Sequence, residues 1–170
     1  MSSMSNHLRL SATLLAFSLI SGAAFTSLLA PAPALAQSSS IIIKTHARQL
    51  QLMYGSQRVK TYPVAVGKAG KKWYGTTMIA RKMIRPPWVP PPEVKRDKPY
   101  LPNYIEGGAH NNPMGAAALL LGSGKYAIHG TNRPSSIGTF ASYGCIRMHN
   151  RDVLDLYSRV SVGTRVTVVP

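Results

Sequence analysis

The sequence predicts a mainly β, single-domain fold of sandwich or barrel type, with one short helix in its C-terminal half and a long proline-rich loop. Three observations predict it. Apolar residues alternate with period two in Arg48–Tyr54 and Arg165–Val169, the signature of half-buried strands. Eight prolines fall within residues 86–113, which excludes a regular helix or a central strand there. Val153, Leu156, Tyr157 and Val160 follow at helical spacing, so residues 151–160 are the one clear helix.

The chain opens with a leader. Met1–Arg9 carries one fixed positive charge, Arg9, and Leu10–Ala30 is apolar and free of acids and bases. Ala34-Leu35-Ala36 is a small-x-small site, so residues 1–36 are expected to be a signal peptide cleaved after Ala36. The alternative is N-terminal membrane association, because the apolar run is about long enough to span a bilayer. Cleavage leaves 134 residues (170 − 36), one domain's worth of chain, able to bury a core without disulfides.

Residues 37–40 form a short polar lead to a domain at 41–170. Ile41-Ile42-Ile43 starts the β-rich region. Leu50, Leu52 and Tyr54 share a strand face, and Gly55-Ser56-Gln57 turns into a partner strand at Arg58–Val66, with Pro63 at an edge or bulge. Gly67–Lys72 reads as a basic loop and Trp73–Ala80 as a weaker strand. Residues 86–113 suit either a disordered linker or a packed loop over a site. Trp88, Val89, Tyr100, Leu101, Tyr104 and Ile105 give this stretch something to bury and favour the loop. Ala116–Leu121 and Tyr126–Ile128 flank the turn 122–124 as a second hairpin, which delivers His129 at a strand end. Asn150 is expected to N-cap the helix, with Asp152 in its first turn, and Gly163 to end it. Arg165–Val169 closes the chain as a strand.

Without the leader the chain keeps 19 Lys and Arg against five acids, a net charge of +14 (19 − 5). Such a chain is drawn to anionic surfaces. Export and the scatter of the bases, with only short pairs such as Lys71-Lys72 and Arg81-Lys82, argue against nucleic acid and leave acidic lipid headgroups or an anionic cell-wall polymer as candidate partners, beside a generally basic solvated surface.

Cys145 is the only cysteine, so no intramolecular disulfide can form. An exported chain with one thiol holds an intermolecular bridge, a reactive group or an inert buried residue. Its neighbours favour reactivity. His129 can take a thiol proton if a hydrogen bond orients its other ring nitrogen. Gly144 lets the backbone approach a substrate closely and lets successive amides around Cys145 converge on one oxygen. Arg147 places a planar cation near the thiol, where it can lower the thiol pKa or grip a carboxylate. Cys145, His149 and His129 could also be drawn as zinc ligands. No second cysteine or carboxylate sits near them and Arg147 would repel a cation, so no metal is expected. His46 and His110 have no motif around them.

The order Ile128-His-Gly-Thr-Asn132, Ser136-Ile-Gly138, Ser142-x-Gly-Cys-Ile-Arg-Met148 and an Asp-Val helix resembles the L,D-transpeptidase catalytic domain of bacterial cell walls, the YkuD-like family. Tyr62-Pro-Val-Ala-Val-Gly67 resembles its strand-and-turn motif. Pro87-Trp-Val-Pro-Pro91 and Asn112-Pro-Met-Gly115 resemble its substrate-side loops, and Val162-Gly-Thr-Arg-Val166 its closing strand. The resemblance implies the fold of that family, with Cys145 as nucleophile, His129 as base and the Gly130 carbonyl orienting the ring. It implies amides of Tyr143, Gly144 and Cys145 as an oxyanion hole, Arg147 as a site stabiliser or carboxylate grip, and Ser142 as a structural hydroxyl. The implied substrate is a peptidoglycan stem peptide, attacked after its third residue with loss of D-alanine. A thioester is then resolved by an amine or by water, with no cofactor, in the periplasm or cell wall of a bacterium. Tyr143 departs from the histidine often found at its position, and Gly75-Thr-Thr-Met78 from a Thr-Pro-x-Gly segment.

Overall fold

In the computed structural model, residues 38–122 and 124–170 are described. The expected leader, residue 37 and Ser123 of the second turn lie outside the described residues. In chain order the elements are β1 (Ser39–Lys44), β2 (Gln49–Tyr54), β3 (Gln57–Pro63), β4 (Val66–Gly67), β5 (Gly75–Ile84), α1 (Pro92–Asp97), β6 (Ala117–Leu121) and β7 (Tyr126–His129). A 3-10 turn (Pro134–Ser136), β8 (Phe140–Ser142), β9 (Ile146–Arg147), α2 (Asn150–Arg159) and β10 (Arg165–Val169) follow. The fold is mainly β, with a curled sheet and one main helix, as the sequence predicts.

Eight strands form one sheet in the order β3-β2-β1-β10-β5-β6-β7-β9, and β4 pairs with β8 apart from it. The pairs β1–β10, β7–β9 and β4–β8 are parallel. The apolar alternation buries Ile41 and Ile43 of β1, Leu50 and Leu52 of β2, and Val166 and Val168 of β10 in one core. α2 lays Val153 and Leu156 onto that core against β6 and β7. Each such aliphatic side chain contributes roughly 1.5–3 kcal/mol relative to exposure. Pro63 ends β3, an edge strand that carries a register shift opposite Leu52 and Met53. Gln51 is buried along with its apolar neighbours, so β2 alternates less cleanly than its sequence.

Three expectations need correction. The weak strand at Trp73–Ala80 is the ten-residue β5, which starts at Gly75 and runs on through Arg81 and Lys82 to Ile84. It joins the two halves of the sheet, pairing first with β10 and then with β6. The charge at 81–82 masks it in the sequence, but Lys82 Nζ donates to the Tyr157 and Val160 carbonyls at 2.7 and 2.5 Å, closing the C-terminal end of α2. The proline-rich stretch does hold a helix, α1, with Pro92 at its start, where the missing N–H costs nothing. Finally, Asn150 does not cap α2. His149 takes the N-cap position and makes no side-chain capping bond.

Candidate active site

The site follows from strand period. Ile128 and Ile146 are opposed in the parallel pair β7–β9 and both point into the core. Their neighbours must face the other way. His129 is opposed to Arg147, and Cys145 stands immediately before β9. His129, Cys145 and Arg147 consequently line one cavity of about 300 Å³, with Trp88, Met114 and Tyr143 among its walls. The 86–113 stretch is the packed loop rather than a linker. Trp88 and Ile105 exchange backbone hydrogen bonds at 2.8 Å, and buried Asn112 donates to the Pro86 and Glu106 carbonyls. A larger hollow of about 700 Å³ between Ser38–Ser40 and Ser161–Arg165 contains neither histidine nor thiol.

His129 is 4% exposed. Its Nδ1 lies 2.7 Å from the Gly130 carbonyl oxygen. A carbonyl only accepts, so Nδ1 carries the proton of the neutral ring and Nε2 keeps a free lone pair. Burial, with Arg147 adding to it, pushes the imidazole down to about 4, against the pull of the Gly130, Pro113 and Met114 carbonyls. Cys145 is half-buried. Burial pushes its thiol up, while the Ala127 amide and Arg147 act the other way and Glu93 adds to the rise. Both directions favour a resting site of neutral thiol and neutral imidazole. In this resting arrangement the imidazole bonds Gly130, not the thiol.

Ser142 organises the thiol's loop. Its hydroxyl donates to the Cys145 carbonyl at 2.6 Å and accepts from the Gly144 N–H at 3.0 Å. The Gly144 amide is therefore engaged inside the loop, which the sequence does not show. The glycine is required on two other grounds. Its φ is +116°, and a Cβ there would stand 2.5 Å from Tyr126 Cε1. The close approach seen here is to Tyr126. Tyr126 stacks on Trp73 with ring centroids 5.0 Å apart, and Trp73 Nε1 donates to the Gly144 carbonyl at 2.9 Å.

Tyr143 crosses from this loop to α1. Its hydroxyl donates to Asp97 Oδ2 at 2.9 Å, and Lys68 Nζ sits 3.9 Å from its ring centroid. It lines the first cavity and also a second, of about 620 Å³, whose walls include Lys71, Lys72, Glu93 and Tyr126 and which also reaches Cys145. The thiol thus sits where two openings meet, on either side of Tyr143. Arg147 lines the first cavity together with Arg133, and neither forms an ion pair with an acid among the described residues. Burial and the nearby Arg133 pull the Arg147 guanidinium below its usual value.

Sequence reasoning missed Arg133, Glu93 and the Trp73–Tyr126 support, because nothing local to them points at the thiol. It also misread Asn150. The carboxamide Oδ1 accepts from Thr131 N–H at 3.0 Å and Ala116 N–H at 3.1 Å, and Nδ2 donates to the Thr131 carbonyl at 3.1 Å. His149, considered above as a metal ligand, is the N-cap residue of α2, and His110 lines a separate small hollow beside Asn150.

Residues 38–168 match the family model YkuD, the L,D-transpeptidase catalytic domain. The chain is 41% identical over 131 residues to the putative L,D-transpeptidase YkuD of Bacillus licheniformis, a match covering 76% of this chain and 65% of that protein. It is 36% identical over 138 residues to the probable L,D-transpeptidase ErfK/SrfK of Escherichia coli K12, covering 75% of this chain and 43% of that protein. The match thus spans less than two thirds of either relative's length. Among solved structures, an L,D-transpeptidase from Mycobacterium smegmatis superposes with a TM-score of 0.63 at 18% identity, covering 78% of this chain and 59% of that one. The LD transpeptidase LdtMt1 in complex with imipenem does so with a TM-score of 0.58 at 16% identity, covering 78% and 59%. At such identities the likeness is one of fold. On the family match and the relatives, this chain belongs to the YkuD family of L,D-transpeptidase catalytic domains.

Proposed function

We propose that the chain is a cysteine-dependent L,D-transpeptidase that acts on peptidoglycan stem peptides through a thioester. The observation that carries this reading is that the lone thiol residue Cys145 and buried His129, whose Nδ1 is held by the Gly130 carbonyl, line the same cavity, and Nε2 is the ring nitrogen left to accept a proton. Once a substrate draws thiol and ring together, Nε2 takes the Sγ proton as Sγ attacks the carbonyl after the third stem residue. The developing oxyanion draws on the Tyr143 and Cys145 amides, since the Gly144 amide is held by Ser142. The C–N bond to D-alanine breaks, and the imidazolium returns its proton to the departing amine. An amine of a second stem then attacks the thioester, gives its proton to His129 and releases Sγ. Arg147 and Arg133, with no acid partner, suit a substrate carboxylate.

The second opening at Cys145 gives an amine acceptor its own approach to the thioester. The leader supports export to the periplasm or cell wall, and the net charge of +14 left after its removal (19 − 5) supports contact with an anionic wall polymer. An N-terminus at Gln37 in protein recovered from the envelope fraction would support this, and an intact leader would argue for an anchor instead.

The test has two arms. Intact-mass analysis after incubation with imipenem should show one adduct, on Cys145, and an unmodified mass with a reduced thiol would sink the enzyme reading. Chromatography of a tetrapeptide stem, with and without an added amine, should show D-alanine release in both cases, a stem dimer without the amine and a tripeptide amide of the amine when it is added. Tripeptide as the sole product in both would mean hydrolysis.

A further inference from the structure

We propose that Asn150 is a positioning residue that holds the Gly130–Thr131 peptide plane, and through it the tautomer and orientation of His129. The inference rests on the reading of His129 as the base. A peptide unit is a rigid plane. Its C=O end, on Gly130, faces His129 Nδ1 at 2.7 Å. Its N–H end, on Thr131, donates to Asn150 Oδ1 at 3.0 Å. Fixing one end of the plane fixes the other, so the start of α2 sets the direction of the carbonyl that sets the ring.

The chemistry of the position selects a carboxamide. Two N–H groups, of Thr131 and Ala116, need an acceptor, while the Thr131 carbonyl needs a donor. Asn offers both within one short side chain, whereas Asp lacks the donor and an apolar residue lacks both. The residue itself is exposed on its outer side, so burial of apolar surface does not explain the choice. The surroundings are shaped for that amide: a Cβ on Gly115 or on Gly130 would collide with Asn150 Oδ1. Gly115 also has φ +66°, a conformation that disfavours any other residue. Because Asn150 follows Cys145 through β9, the same short segment that carries the thiol also braces the base on the neighbouring strand.

The test uses the whole chain labelled with 15N-histidine. Imidazole NMR reads the tautomer of His129, and the rate of imipenem adduct formation reads the site. Wild type should show the Nδ1–H tautomer with a slowly exchanging proton. Asn150→Ala should lose that slow proton, shift toward the Nε2–H tautomer, and acylate about tenfold to a hundredfold more slowly while unfolding cooperatively. Asn150→Asp, which keeps the acceptor oxygen, should retain the Nδ1–H signal and acylate at an intermediate rate. A folded Asn150→Ala protein with the wild-type tautomer overturns the proposal. If the Ala variant does not fold, the Asp variant decides: a retained Nδ1–H signal upholds the role, and a folded protein without it overturns it. An Nε2–H tautomer in wild type overturns it outright. If imipenem fails to modify wild type, the transpeptidase reading fails, and the NMR arm still judges the positioning role by itself.

Discussion

Tyr143 and Asp97, which are 46 residues apart, are joined by a 2.9 Å hydrogen bond that spans the gap between the thiol's loop and α1. Tyr143 itself lines both openings that reach Cys145. Asp97 is held below the usual carboxylate range by Tyr143 first and Arg96 second. The link is exposed, so its worth is small. Tyr143→Phe keeps the ring over Lys68 and loses only this tie. Acylation by imipenem should stay within about threefold of wild type, while KM for a stem peptide rises by less than about tenfold. Steady-state kinetics on the two substrates checks this, and an inactive Tyr143→Phe would show that the hydroxyl takes part in the chemistry.

His129 and Cys145 carry the second prediction. Cys145→Ala should remove all adduct formation without changing the fold. His129→Ala should slow acylation by on the order of a hundredfold or more. Because the ring titrates near 4, the acylation rate should hold level from neutral pH down to mildly acid conditions and drop as pH falls through about 4. A limb near the ordinary histidine value would contradict the buried neutral ring.

The same shift has a stability side. The folded value lies below the unfolded one, so between about 6.5 and about 4 the unfolded chain binds the extra proton. Stability should therefore fall as pH drops through that window, by up to about 3 kcal/mol from this residue. Urea titrations at pH 7 and pH 4 should show this loss in wild type and a smaller one in His129→Gln.

Gly144→Ala should be severe. The added Cβ would meet the Tyr126 ring, and the backbone sits at φ +116°. The Tyr126 ring is backed by Trp73, so it cannot simply turn aside. A loss of about 1–3 kcal/mol of stability and most of the acylation rate is expected, read by thermal melting and intact mass.

Lys82→Met tests the closure of α2. The substitution keeps much of the apolar stem over Tyr157, where Lys82 Nζ lies 4.1 Å from the ring centroid, and loses both bonds to the helix carbonyls. A cost of about 1–2 kcal/mol in urea unfolding, with acylation unchanged, is expected.

The parts of this fold that the sequence makes legible are those set by local pattern. Leu50 and Leu52, Val166 and Val168, and Val153 and Leu156 announce their elements by spacing alone. His129 at a strand end and Cys145 beside glycine carry enough chemistry to be singled out. What stays hidden depends on partners remote in the chain. Asn150 before an amphipathic run looks like an N-cap, and only the approach of Thr131 and Ala116 gives its carboxamide other bonds. Gly144 advertises an open backbone, yet Tyr126 fills the space. Lys82 interrupts an apolar pattern because its target is the far end of a helix. Pro92 looks like a breaker until it stands at the first position of α1.

The tryptophans have a practical consequence. The chain has two, Trp73 behind the thiol's loop and Trp88 in the wall of the cavity. One indole holds the Gly144 carbonyl next to Cys145 and the other lines the cavity that Cys145 shares, so modification of Cys145 should register in intrinsic ultraviolet emission without any attached dye. Trp88→Phe isolates Trp73, turning the protein into its own stopped-flow sensor for each encounter with a reactive ligand.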